Sequence, residues 1–95
     1  MATFIMKGKY SLDSVKRISG ERTVKANEIV RGCGGSIVNV YATLGEADIL
    51  AIVEFPGIAE AMKASVDLSR ELGISFATTP ALSVEEFDRL IGGKS

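Results

Sequence analysis

Near the middle of the chain, two strand-like runs face each other across a very short turn. Residues 36–43 alternate, with Val38, Val40 and Ala42 on one side and Ile37, Asn39, Tyr41 and Thr43 on the other. Residues 49–55 are apolar on both sides, as expected of a central strand. Only Leu44-Gly45-Glu46-Ala47-Asp48 joins them. So tight a connection makes an antiparallel hairpin. Whatever fold the chain adopts must be built around this hairpin.

The flanks are symmetric in kind. Residues 3–10 alternate, with Phe4, Met6, Gly8 and Tyr10 against Ile5, Lys7 and Lys9, the period of a strand. Ser11-Leu12-Asp13-Ser14 offers side-chain oxygens to the free amides of a helix start. The helix that follows is expected to be broken: Val15 and Ile18 form an apolar pair, Ser19-Gly20 interrupts, and the stripe resumes at Ala26, Ile29, Val30 and Cys33. Gly34-Gly35 ends it. After the hairpin, Pro56-Gly57 opens a second helix over residues 58–72. Its expected inner stripe is Ile58, Ala61, Met62, Ser65, Leu68, Ser69 and Leu72, and Glu60, Lys63, Asp67, Arg70 and Glu71 are expected outside. Gly73 stops it. Residues 74–79 form a fourth strand, and Pro80 marks an edge or the end of its pairing. Ser83-Val84-Glu85-Glu86 fits a capping box that starts a short helix with Val84, Phe87, Leu90 and Ile91 on one side, closed by Gly92-Gly93.

The order is β-α-β-β-α-β-α. Its first six elements are the split βαβ of ferredoxin-like folds, an α+β architecture with a four-stranded antiparallel sheet and two crossover helices on one face. At 95 residues the chain makes one domain, since two would each fall near the lower limit for an independent core.

Helices of a two-layer domain cover only one sheet face. The other should be polar, yet the strands leave apolar residues on both sides, and residues 74–79 carry no charge at all. Two covers are open: a second copy packed sheet to sheet, or the terminal helix folded back. The first is favoured because most oligomers are two-fold homomers. The expected partner is therefore the chain itself, as a homodimer or a higher oligomer.

Composition narrows the chemistry. There is no histidine, which removes the commonest general base and metal ligand, and Cys33 is the only cysteine, so no internal disulfide is available. A net charge of −1 gives no footprint for nucleic acid or an anionic membrane. No stretch is apolar enough to span a bilayer and no secretory signal is visible, so a cytoplasmic protein is the default expectation. No cofactor and no metal are expected.

The run SIVNVYATLGEADILAIVE over residues 36–54, preceded by Gly34-Gly35, resembles the centre of the GYD-domain family, as does the Phe87-containing helix after a Thr-rich fourth strand. The resemblance covers nearly the whole chain. It implies a dimeric α/β-barrel of two ferredoxin-like sheets, and no particular reaction. Gly45 and Asp48 match the glycine and aspartate of the family's name, but Ala47 stands where its tyrosine is expected. A role carried by that phenol would be lost here.

Each candidate residue has a structural alternative. Cys33 on a helix stripe without histidine reads as a small hydrophobe. Gly32-Cys33-Gly34-Gly35 follows a helix where a phosphate loop would open one, so it reads as a C-cap. Gly45, Glu46 and Asp48 suit turn chemistry, although Asp48 is also a candidate ligand holder. Asn39, Tyr41 and Glu54 are polar among apolar neighbours; they either line a small pocket or satisfy one another across a dimer contact. With Tyr10 they complete the candidate ligand-binding set. An RNA-recognition module is disfavoured, because residues 48–55 lack its basic-Gly-aromatic run. Three functional classes follow: a binding or structural module without catalysis, which leads; a cofactor-independent enzyme of monooxygenase, isomerase or dehydratase type; and a sensor of a small metabolite at the subunit seam. A pocket discriminates among them.

Overall fold

The computed structural model describes residues 1–16 and 19–92. Its elements are β1 (Ala2–Tyr10), α1 (Leu12–Val15), α2 (Gly20–Gly32), β2 (Ser36–Ala42), β3 (Ile49–Phe55), α3 (Ile58–Leu72), β4 (Ile74–Ala81) and α4 (Val84–Gly92). The strands form one antiparallel sheet in the order β2-β3-β1-β4. This is the α+β ferredoxin-like arrangement, with the hairpin β2–β3 on one side of β1 and the returning strand β4 on the other.

The core lies between the sheet and two helices. Phe4 and Met6 of β1, Ala51, Val53 and Phe55 of β3 and Ile74 of β4 meet Val30 of α2 and Ala61, Ala64, Leu68 and Leu72 of α3. Phe4 and Phe55 pack edge to face, with ring centroids 5.8 Å apart. Pro80 sits within β4, where it is tolerated because β4 is an edge strand.

The broken first helix is as expected: Ser11 caps α1, and Ser19 caps α2. Of the expected pair, Val15 is half exposed and Ile18 lies outside the described residues, as does Gly93. The α2 stripe of Ala26, Ile29, Val30 and Cys33 packs on the core. Two glycines then end the helix for different reasons. Gly34 takes φ +80°, the left-handed conformation that favours glycine. At Gly35 a Cβ would lie 2.5 Å from the Phe55 ring and 2.6 Å from the Glu54 carbonyl oxygen, so the loop crosses β3 only without a side chain.

Two expectations are corrected. In β2, the register slips between Ile37 and Asn39: Ile37 pairs with Val53, and Asn39 with Ile52. A bulge at Val38 therefore turns Ile37 toward the helices, while Val40 and Ala42 keep the core side and Asn39 and Tyr41 the far side. In α3, the buried positions are Ala61, Ala64, Leu68 and Leu72, whereas Ile58 and Met62 are 63% and 64% exposed and Ser69 is also exposed. Small Ala64 faces the sheet because close approach of helix and strand requires it, and the bulkier Ile58, Met62 and Val66 form an outer ridge.

The terminal helix α4 bears on the less favoured of the two covers for the outer sheet face. Ser83 Oγ accepts the Glu86 N–H at 3.1 Å, the serine half of a capping box. However, the helix does not fold back over the sheet. None of its residues is buried, and Val84 and Leu90 are 75% and 71% exposed. The Cα radius of gyration is 14.4 Å, against about 12–13 Å for a compact domain of this length. No helix among the described residues is long and apolar enough to cross a membrane.

Candidate functional site

The cleft forms where α2 parts from the sheet. Its C-terminal half is held down by Val30 and the glycine pair, while its first turns stand over the end of β1 and the edge strand β2. The helix-facing residues Val40 and Ala42 are left exposed as a result. The space between is about 260 Å³. Ile37, Val40, Ala42, Ile49, Ile74 and Ala26 give it apolar walls; Tyr10, Tyr41, Ser19, Thr23 and Arg22 give it polar groups.

Arg22 organises one end. Its two terminal nitrogens donate to the carbonyl oxygen and the hydroxyl of Ser14, and one reaches the Leu72 carbonyl at 3.4 Å. Ser14 is fully buried, and its hydroxyl donates to the same Leu72 carbonyl at 2.8 Å. One guanidinium thus joins α1, α2 and the end of α3. It also lies over the Tyr10 ring, 5.3 Å from the centroid, a cation–π contact. Its Nε is buried with no hydrogen-bond partner among the described residues.

Sequence reasoning did not single out Arg22 or Ser14. A signal was present: Arg22 is the third residue of a helix whose cap is Ser19, and a cation in a first turn opposes the helix dipole. Such a placement calls for a compensating contact.

The five residues chosen from sequence separate. Tyr10 lines the cleft from the core side of β1, and Tyr41, on the outer side of the edge strand β2, borders it at that edge. Asp48 adjoins it through the backbone: its carboxylate accepts the Tyr10 N–H at 2.9 Å, and its own N–H donates to the Gly8 carbonyl at 2.8 Å. Its carbonyl accepts from Thr43 N–H, while the Thr43 hydroxyl donates to the Ala47 carbonyl at 2.8 Å. Asn39 and Glu54 lie on the other face of the sheet, opposite Ile52 in one case and between Thr3 and Ser36 in the other. Among the described residues neither side chain makes a hydrogen bond within the chain.

That outer face carries Ile5, Leu50, Ile52 and Tyr41 in its β2–β3–β1 part, with Lys7 and Lys9 toward one end of β1. The titratable group displaced from its ordinary value is elsewhere. Lys63, on α3, is held above the usual lysine range by its hydrogen bond to Asp67 at 2.6 Å and by that carboxylate's charge. No carboxylate or thiol is among the residues that line the cleft.

A two-layer ferredoxin-like domain with an apolar cleft beside its first crossover helix is thus defined. The chain belongs to the GYD-domain family, whose sequence model matches residues 4–91. Comparison with curated proteins finds no match.

Proposed function

We propose that this GYD-domain chain is a small-ligand-binding module that works as a homodimer. The cleft between α2 and β2 is its ligand site, and the outer sheet face is its contact with the second copy. The observation that carries the reading is the lining of the cleft. Apolar walls meet a few fixed polar groups, the make-up of a small-molecule site. It holds no carboxylate, imidazole or thiol to act as base or nucleophile near neutral pH. Catalysis without a cofactor most often draws on such a group, so binding is favoured over catalysis.

Dimerisation is supported by what the chain leaves uncovered. Ile5, Leu50 and Ile52, each half-buried among its neighbours in the sheet, lie on the face opposite the helices, where Tyr41 is 53% exposed and α4 adds no cover. Asn39 and Glu54 would find hydrogen-bond partners across that seam.

Native mass spectrometry of freshly purified protein tests both halves. A dimer retaining a small molecule, or accepting one in proportion to its subunits, is the expected result. A monomer that retains and accepts none would overturn the proposal.

A further inference from the structure

Among the described residues, Arg22 is the one charged side chain lining the cleft, and no Asp or Glu forms an ion pair with its guanidinium. The oxygens it does meet, from Ser14 and Leu72, are neutral. They orient the group without neutralising it; Glu21 and Glu71 border a neighbouring cavity with Arg22, outside the cleft and without an ion pair to the guanidinium. A cation held at the end of an apolar cleft by neutral oxygens alone is an arrangement that one bound anion would stabilise.

We propose that the cleft takes a small monocarboxylate with an apolar body. The inference rests on the cleft being the ligand site proposed above. The carboxylate meets the Arg22 guanidinium and supplies its counter-charge, in the charge-assisted pairing that suits this side chain. The body lies against Ile37, Val40, Ile49 and Ile74. Ser19 and Thr23, on the cap and first turn of α2, offer hydroxyl donors beside the same group.

Size and charge narrow the class further. At about 260 Å³ the space exceeds the ~150 Å³ cavity that holds benzene and falls just below the ~300 Å³ at which drug-sized sites begin. A single ring or short branched chain carrying an acid fits. A phosphate ester, a dianion, calls for a second cation, and among the described residues the cleft is lined by one. The nearest candidate on α2, Lys25, is paired with Glu71 at 3.3 Å.

The test uses three probes of one shape and different charge: phenylacetate, phenylacetamide and phenethylamine. Each is titrated at neutral pH into the full chain, and the methyl NMR signals of Ile37, Val40, Ile49 and Ile74 are followed. Phenylacetate should shift them at a concentration about tenfold or more below that needed for the amide, with the amine weakest. Added salt should weaken phenylacetate and leave the amide unchanged. Arg22→Gln should bring acid and amide to equal affinity. Because Arg22 also joins three helices, Ala42→Phe, at an exposed lining position, serves as a second variant and should weaken all three probes. Equal response of the wild type to acid and amide would overturn the anionic class while leaving the cleft as a ligand site. No response to any probe up to its solubility would overturn the class and the site together.

Discussion

The carboxylate of Asp48 accepts the backbone N–H of Tyr10 at 2.9 Å, so the acid beside the cleft is committed to holding the end of β1. It spans 38 positions in sequence and ties the β2–β3 turn to the first strand. Asp48→Ala should therefore lower stability, by about 1–2 kcal/mol, because a half-buried amide loses its acceptor. Asp48→Asn, which keeps an oxygen at that place, should recover most of the loss. Thermal unfolding of the two variants measures this, at roughly 4–8 °C per kcal/mol in a domain of this size. An Asp48→Ala variant as stable as the wild type would contradict the assignment.

Ser14 is the hub beneath the cleft. Its hydroxyl donates to the Leu72 carbonyl and accepts from Arg22, and the residue has no exposed surface. Ser14→Ala removes the nearer donor to the Leu72 carbonyl and one of the two acceptors Ser14 offers Arg22, and should cost about 1–3 kcal/mol in stability. Ser14→Ala should also loosen Arg22 and reduce any preference for anionic ligands. Urea unfolding, read alongside the ligand titrations, checks both effects.

Two glycines three positions apart should respond in opposite directions. Gly32 has open space where a Cβ would stand and sits in the last turn of α2. Gly32→Ala should stabilise by about 0.4–1 kcal/mol, by restricting the unfolded chain. At Gly35 the added carbon meets the Phe55 ring and the Glu54 carbonyl, and the backbone partner has nowhere to go. Gly35→Ala should destabilise by about 1–3 kcal/mol, the range of an overpacked core. Denaturation midpoints of the pair decide the matter.

The element order, the hairpin, the α2 stripe and the glycine cap were legible in the sequence because each has a local signature. What was missed depends on distant or ambiguous partners. Ile37, Val38 and Val40 are all apolar, so hydropathy does not say which of Ile37 and Val38 faces the core, and the bulge at Val38 leaves no trace in the pattern. In α3, Ile58, Met62 and Val66 look like core by hydropathy, yet the sheet accepts the smaller Ala61 and Ala64 on that side. Arg22 gains its meaning from Ser14 and from Leu72, 50 positions away, a contact that no helical period announces. The candidate residues Asn39 and Glu54 were recognisable as polar groups out of place, but the face they occupy follows from the register of β2 on β3.

On the outer sheet face, Ile52 pairs with Ile5 on one side and Asn39 on the other, at the middle of the proposed seam. Ile52→Glu would place like charges opposite each other across a two-fold axis and should break the association. Its effect on the fold of the single chain should be small, because the side chain points away from the core. Circular dichroism with sedimentation velocity separates the two. A variant that is folded and still associated would remove Ile52 from the contact.

Static light scattering of the wild-type chain at micromolar concentration bears most directly on the homodimeric module proposed here. One subunit weighs 10.1 kDa, and the expected species has twice that mass. A single, monodisperse 10.1 kDa species across the same concentrations would contradict it.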